Sequence, residues 1–174
     1  MKSSFVLFIL LLMFSTVQAQ TSLDDLKHEE FFDFWVGTWN LEWDDQTAQG
    51  GVAKGVNEIT KILDGQVIQE NFQANTGSNK GYKGRSFTVY DPKAKNWKQT
   101  WVDSRGGYLD FEGVFQDNKR IFIRKGIAPW GEEIMQRMVF HDIEKDSFTW
   151  DWEISTDNGS NWELKWRINY TRIE

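Results

Sequence analysis

The sequence predicts an all-β protein, and three observations lead to that class. Beyond residue 35, apolar and polar residues alternate with a period of two, which is typical of strands with one buried face. Fourteen glycines against two prolines indicate many tight turns. Ten tryptophans, thirteen phenylalanines and four tyrosines are a heavy aromatic load, which favours sheet.

The first nineteen residues are predicted to be a signal peptide outside the fold. Lys2 supplies the positive start, and the apolar run over 5–14 is too short to span a bilayer as a helix. Val17-Gln18-Ala19 places small residues where a signal peptidase reads, so we expect cleavage before Gln20. The mature chain is then periplasmic or secreted; the alternative is an uncleaved membrane anchor.

Residues 20–174 are predicted to form a single domain, since removing 19 residues leaves 155 of the 174, enough to bury a core. The chain has no cysteine, so neither disulfides nor a lipoprotein cysteine can hold it. The net charge is −6, or −7 once Lys2 is removed, without a basic run. That balance argues against nucleic acid and anionic membrane surfaces as partners. The expected partner is a small-molecule ligand, and the oligomeric state stays open.

One short helix is predicted, over residues 22–34. Ser22 can cap its start, and Leu23, Leu26 and Phe31 recur at helical spacing. We expect this helix to close one end of the domain.

Ten strands are predicted after it. The carboxyl end is the clearest case, because two long alternating segments flank a polar, glycine-containing turn. The ten predicted strands cover residues 35–43, 52–63, 66–74, 82–90, 97–103, 108–116, 120–127, 132–141, 148–155 and 162–171.

Short connections throughout make sequential neighbours pair antiparallel. An open meander of ten strands would expose two edges, and closure removes both. We therefore predict an antiparallel up-and-down barrel; a β-sandwich is the alternative.

Two resemblances support the barrel. The segment 34–39, Phe-Trp-Val-Gly-Thr-Trp, resembles the Gly-x-Trp signature that opens the first strand of lipocalins and their calycin relatives. There Gly37 would let the strand bend and Trp39 would plug the barrel base. Together with segments 55–59, 62–70, 97–103 and 155–162, it makes the chain similar to the DUF1579-like family of bacterial proteins. The resemblance implies a lipocalin-like barrel and no particular chemistry.

No metal or cofactor is predicted. The ten strands resemble nitrobindin in architecture, which makes haem bound through a histidine the alternative. The two histidines are His28, in the predicted helix, and His141, near a strand end. With no cysteine and two distant histidines, the sequence does not predict a zinc site.

The segment 155–162 resembles the Asp-box of sialidases, Ser-x-Asp-x-Gly-x-Thr-Trp, with Asn161 where threonine is usual. A single copy predicts a hairpin turn. Asp157 would accept backbone N–H groups, Gly159 would supply a positive φ, and Trp162 would pack beneath.

The candidate site consists of polar or aromatic residues on otherwise apolar strand faces. Such groups would orient a ligand in an aromatic cup, and a buried carboxylate would need a partner. We expect Glu70 to pair with Arg137; the alternative is that these groups lie on the outer, solvated face. The predicted lumen residues are Asn57, Glu70, Gln99, Trp101, Asp103, Arg137 and Trp152.

Three functions remain open. The first is an exported barrel that binds a small, largely apolar or aromatic ligand. The second is an isomerase, cyclase or hydrolase in which Glu70, Asp103 and Arg137 act in the pocket. The third is carbohydrate binding through an exposed ring such as Trp130, because the tryptophans of the last two strands (Trp150, Trp152, Trp162 and Trp166) are assigned to the core or lumen. Nucleophile-elbow, P-loop and dinucleotide motifs are absent from the sequence.

Overall fold

The computed structural model describes residues 22–45 and 50–173, which form a closed antiparallel barrel of ten strands. The predicted signal peptide lies outside the described residues. The predicted barrel is confirmed, and the sandwich is excluded. The strands are β1 Gly37–Asp44, β2 Val52–Ile62, β3 Val67–Ala74, β4 Lys83–Asp91, β5 Asn96–Asp103, β6 Tyr108–Gln116, β7 Lys119–Ile127, β8 Glu133–His141, β9 Ser147–Ser155 and β10 Glu163–Arg172.

Closure is made by the first and last strands. Each strand pairs with the next along the chain, and β1 pairs with β10, with Trp39 opposite Arg172 and Leu41 opposite Tyr170. This pairing satisfies backbone groups that two open edges would expose. We call the end where β1 begins the base, and the opposite end, where the connections after β1, β3, β5, β7 and β9 lie, the mouth.

The amino-terminal segment closes the base, as predicted. It is helical in three separate 3-10 turns, Leu23–Asp25, His28–Glu30 and Asp33–Trp35. They do not merge into one helix, because Leu26 and Lys27 adopt extended backbone angles, with ψ of 148° and 149°. The segment buries two phenylalanines and a tryptophan, Phe31, Phe32 and Trp35, in the aromatic core. Within the described residues, no helix is long and apolar enough to cross a membrane.

Two arginines hold the amino-terminal segment, which we call the plug, against the barrel. Arg120 is only 2% exposed, and its Nε donates to the carbonyl of Phe31 at 2.9 Å. Burial lowers the pKa of Arg120 to about 10, so it is still charged at neutral pH. Arg172 donates through Nη1 to the carbonyl of Val36 at 2.9 Å and through Nη2 to that of Phe34 at 3.1 Å. Charged donors to buried carbonyls are among the stronger hydrogen bonds in proteins.

Gly37 and Trp39 play the parts that the Gly-x-Trp signature predicts. Gly37 has φ of +142°, and a Cβ there would lie 2.2 Å from Nη1 of Arg172. Trp39 is fully buried, and its indole N–H donates to the carbonyl of Trp35 at 2.8 Å. The guanidinium of Arg172 lies 4.1 Å above the Trp39 ring. The signature therefore makes room for the arginine that locks the plug.

A β-bulge in β10 reverses the facing of its first residues. Leu164 pairs with Glu153 and Trp166 with Trp152, so Lys165 is the extra residue. A shift of one residue moves side chains to the other face. The prediction that Trp162 lies in the core or lumen is wrong, because its ring packs outside the barrel, 4.0 Å from the Arg137 guanidinium.

The predicted hairpin turn at 155–162 is confirmed. Asp157 accepts the backbone N–H of Asn161 at 2.8 Å, and Gly159 has φ of +88°. Hydrogen bonds from Asn161 and Ser155 lower the pKa of Asp157 to about 2. A Cβ at Gly159 would lie 3.4 Å from the sulfur of Met135, so the turn covers the outer face of β8.

We predict that Gly37→Ala destabilises the protein more than Gly131→Ala does. Both glycines have positive φ, but a Cβ at Gly131 meets open space, whereas one at Gly37 displaces Arg172. The difference in unfolding free energy should be about 1–3 kcal/mol, the range for losing charged hydrogen bonds. Urea titrations of both variants measure it, and equal losses would mean that the contact with Arg172 contributes nothing.

Candidate functional site

Above the plug, the barrel encloses a cavity of about 270 Å³. Its lining reaches from Trp35 near the base to Tyr82 and Asp103 at the mouth. Ten of the fifteen lining residues are aromatic, three are aliphatic and two are acidic. They are Trp35, Phe72, Tyr82, Trp101, Phe111, Phe140, Trp150, Trp152, Trp166 and Tyr170, then Leu109, Met138 and Ile168, and finally Glu70 and Asp103.

The aromatic wall is held by edge-to-face contacts. Trp166 lies 5.7 Å from Trp150 at an interplanar angle of 86°, and 6.1 Å from Phe72 at 85°. On the other side of Phe72, the ring of Trp101 lies 6.1 Å away at 64°. Such pairs are favoured over face-to-face stacks and fix ring orientation. The wall is therefore preformed.

Trp101 owes its position to a glycine on the neighbouring strand. A Cβ at Gly84 would lie 2.0 Å from two atoms of the Trp101 ring. The ring therefore lies directly over the β4 backbone, a close approach that only glycine permits.

Glu70 is the acidic group of the inner cavity. It is 6% exposed, and its Oε1 accepts from Asn57 Nδ2 at 2.7 Å while its Oε2 accepts from Ser86 Oγ at 2.6 Å. Burial raises the pKa of Glu70, and the bonds from Ser86 and Asn57 offset only part of that shift. Asn57 Nδ2 also lies 3.3 Å from the hydroxyl of Tyr170. Burial, together with the nearby Glu70 carboxylate, raises the pKa of that hydroxyl.

Glu70 belongs to a polar belt on the lumen side of β2 to β5, formed by Asn57, Glu70, Ser86, Thr88 and Gln99. Gln99 Nε2 donates to Thr88 Oγ1 at 2.9 Å and to Ser86 Oγ at 3.3 Å. Two acceptors of this belt, Asn57 Oδ1 and Gln99 Oε1, are buried and have no hydrogen-bond partner among the described residues. Buried acceptors without donors are costly and rare, so they call for an explanation.

Asp103 lies at the mouth and is tightly held. Its carboxylate accepts from the hydroxyl of Tyr82 at 3.0 Å, from Trp101 Nε1 at 3.1 Å and from the backbone N–H groups of Arg105 and Gly107. Partial burial would raise the pKa of Asp103, but these donors outweigh it and lower the pKa. Burial and Asp103 together raise the pKa of Tyr82 to about 12. Asp103 therefore holds a fixed negative charge at the mouth, where the Arg105 guanidinium lies 4.6 Å from the Tyr82 ring.

Six of the seven predicted lumen residues lie on buried or inward-facing positions of the barrel. Four of them, Glu70, Trp101, Asp103 and Trp152, line the cavity directly. Asn57 and Gln99 are 0% and 3% exposed and support Glu70 from within the belt.

The prediction for Arg137 is wrong, and so is its pairing with Glu70. Met138, the next residue in β8, lines the cavity, so Arg137 faces outward. There Arg137 Nε lies 2.5 Å from Glu153 Oε2. The strand misled the prediction because its outer face is also apolar, being covered by the turn that packs Trp162 on Arg137.

Sequence reasoning missed Ser86 and Thr88 of the belt. In β4 the exposed face carries Phe87 and Val89, 43% and 37% exposed, while the buried face carries the small polar residues. Alternation alone assigns the apolar side to the interior. The signal that was available is Gly84, which shares the face of Ser86 and leaves room for a neighbouring ring.

Neither histidine lines the cavity. His28 lies in the base plug, where its carbonyl accepts from Trp97 Nε1 at 2.7 Å. His141 lies on the outer face, with Nε2 3.0 Å from Asp151 Oδ2 and Nδ1 2.8 Å from Asp142 Oδ2. Haem in the lumen would therefore have no histidine ligand. Across residues 22–45 and 50–173, no three His, Asp or Glu side chains come together as a metal site.

These features define a small closed antiparallel barrel of lipocalin-like form, with an aromatic lumen and a buried carboxyl, Glu70, in its wall. The chain belongs to the family described as "Protein of unknown function (DUF1579)", whose sequence profile matches residues 26–172. The match spans the plug and all ten strands and confirms the resemblance read from the sequence. No curated protein matches the chain.

We predict that Glu70→Gln removes a loss of stability with rising pH. A buried acid with a raised pKa keeps its proton in the folded state while the unfolded chain releases it. The wild type should then lose up to about 1.4 kcal/mol per pH unit, from the ordinary value near 4.5 up to the raised folded pKa. Urea titrations between pH 4 and 8 measure the difference between the two proteins. A constant difference across that range would contradict the shift.

We predict that His141, on the outer face, also makes the protein less stable as the pH rises. The hydrogen bond and charge of Asp151 raise the pKa of His141 against its partial burial. The stabilisation is complete below pH 6.5 and is lost as pH rises through the folded pKa. Since the site is partly solvated, we expect about 1 kcal/mol or less. His141→Gln should lack this step in thermal unfolding scans from pH 5 to 9, whereas a parallel decline in both proteins would exclude His141 as its source.

Proposed function

We propose that this protein is an exported barrel that binds a small, largely apolar or aromatic molecule in its lumen. The observation that carries the proposal is the cavity of about 270 Å³ whose lining is two-thirds aromatic. Small-molecule sites are commonly concave, mostly apolar and largely preformed, with a few polar groups that orient the ligand.

The size of the cavity argues against an incidental packing defect. Protein interiors are packed like organic crystals, with few voids larger than a water molecule. A chain could fill much of this space with larger side chains at Leu109 or Met138, both of which line the cavity. An occupant explains why the space is kept.

Polar groups in the wall would orient the ligand. Glu70 is one, and the indole N–H groups of Trp35 and Trp166 are two more, because both are buried and lack an acceptor among the described residues. An indole N–H usually has a partner when it is buried. A bound molecule with an oxygen acceptor would supply one.

The two other functions have less support. Arg137 faces outward, so a catalytic group built on Glu70, Asp103 and Arg137 loses its cation. Trp130 is 63% exposed, but its N–H is bonded to Glu132 Oε2 at 3.0 Å, and it stands alone as an exposed tryptophan among the described residues. One ring is a small platform for a sugar chain.

Native mass spectrometry of the protein purified from its own host, beside the denatured mass and an absorbance scan, tests both parts of the proposal. We expect a mature chain that begins at Gln20 and an additional mass of a few hundred daltons that is lost on denaturation. A chain that retains residues 1–19 would contradict cleavage before Gln20 and favour the uncleaved anchor. A Soret band would point to haem instead of an organic ligand.

A filled lumen should abolish binding. Leu109 lines the cavity, whereas its neighbour Tyr108 is 70% exposed on the outer face of the same strand end. We predict that Leu109→Trp weakens binding of the co-purified ligand at least about tenfold, since a larger side chain occupies its space. Tyr108→Trp is the matched control and should leave the affinity unchanged. Equal affinities in both variants, measured by calorimetry, would place the ligand outside the lumen.

A further inference from the structure

The charges of the cavity wall are all of one sign. Of its fifteen lining residues, Glu70 and Asp103 are acidic, and none is lysine, arginine or histidine. An anionic ligand would meet a carboxyl at each end of the cavity and no cation among the lining residues. A low-dielectric interior strengthens that repulsion.

Three arginines lie near the lumen without belonging to the cavity wall. Arg124 faces inward on β7; its Nη1 donates to Gln136, its guanidinium lies 5.9 Å from the Phe111 ring, and its buried Nε has no acceptor among the described residues. Arg105 at the mouth donates to Asn79 and lies 4.6 Å from the Tyr82 ring, and Arg120 is held in the base by the carbonyl of Phe31. No ion pair to Glu70 is formed within the described part of the chain.

The surroundings of Glu70 lack donors. Asn57 Nδ2 and Ser86 Oγ each give one hydrogen bond to the carboxylate, whose two oxygens can accept about four. The free acceptors Asn57 Oδ1 and Gln99 Oε1 lie in the same belt, the first in a residue bonded directly to Glu70 and the second one hydroxyl further on. This part of the wall would be satisfied by a group that brings several N–H donors.

Aromatic residues line the same cavity as this carboxyl. Phe72 follows Glu70 by two residues on the lumen face of β3, and Tyr170 and Trp166 close the cavity from β10. A cation near aromatic rings is attracted by the negative potential of their faces, most strongly where water is excluded. The aromatic wall and the Glu70 carboxyl therefore both favour a positively charged ligand.

From these observations we infer that the lumen ligand is a small amine, bound as its ammonium ion by Glu70, with its apolar or aromatic body among the rings. The inference rests on the lumen binding proposed above and names the class of ligand. The ammonium brings three N–H donors to a belt that lacks donors, and it supplies the cationic partner that Glu70 lacks among the described residues. The unpaired indoles of Trp35 and Trp166 suit a hydroxyl or carbonyl oxygen elsewhere on the same molecule.

Three probes that share a bicyclic ring and differ in one group test the class. These are 1-naphthylmethylamine, 1-naphthalenemethanol and 1-naphthoic acid, titrated into the ligand-free protein by calorimetry at pH 7.5. We expect the amine to bind at least about tenfold more tightly than the alcohol, and the acid most weakly, because charged hydrogen bonds and cation–π contacts act on the amine alone.

Variants then assign the effect to one carboxyl. Glu70→Gln should weaken the amine about tenfold and change the alcohol by less than about twofold. Glu58→Gln removes the same charge from an exposed position in β2 and is the matched control, with no expected change. Leu109→Trp should weaken both the amine and the alcohol.

The outcomes separate the two proposals. If alcohol and amine bind equally well and Leu109→Trp weakens both, the lumen site stands and the amine inference is overturned. If the acid binds best, the charge argument is wrong. If no probe binds, or if binding is insensitive to Leu109→Trp, the lumen proposal and the amine inference fail together.

Discussion

The pairing of β1 with β10 is the constraint on which the rest of the structure depends. It joins residues near opposite ends of the described chain, Trp39 with Arg172, and no local preference brings them together. Arg172 then reaches the carbonyls of Phe34 and Val36, so closing the barrel and seating the plug are one event. Contacts of such sequence separation make folding slow. Because the aromatic core at the base is packed without the residues above it, the lumen above the plug can stay open.

Glu70 is difficult to explain as a structural residue. A barrel closed by aromatic packing gains nothing from a carboxyl that is 6% exposed, has a pKa raised by burial and has no cation beside it in the described chain. Replacing a buried hydrogen-bonded group and its partners by apolar residues of the same shape can be nearly neutral or stabilising. Here, however, Asn57 and Ser86 are both oriented toward the carboxyl oxygens. Polar neighbours arranged around a destabilising group indicate a functional site, because proteins commonly keep such groups for function although they lower stability.

The sequence was sufficient for the fold because period-two alternation and turn chemistry are local signals. All ten strands fall within two residues of their predicted ends, and Asn57, Glu70 and Gln99 were recognised as polar groups on buried faces. The prediction of which side chains point into the barrel was wrong where a non-local contact overrides the alternation of apolar and polar residues. The bulge at Lys165 turns Trp162 outward. The loop between β9 and β10 covers the outer face of β8, so that face is also apolar. For this reason Arg137 was wrongly predicted to face the lumen. Neither the bulge nor the covering loop has a signature in the residues it affects.

The mouth and the inner cavity suit the same ligand charge. Asp103 is kept ionised by two backbone N–H groups, the Trp101 indole and the Tyr82 hydroxyl, and it lies at the mouth, where the proposed ligand would enter. A cleft with low-dielectric walls focuses the field of such a charge and raises the local concentration of cations. Asp103 already has its donors, so it attracts a cation without holding it, whereas Glu70 lies deeper and has acceptor capacity to spare. Two carboxyls in one aromatic cavity, one saturated at the entrance and one unsaturated within, give a graded path inward for a positive charge.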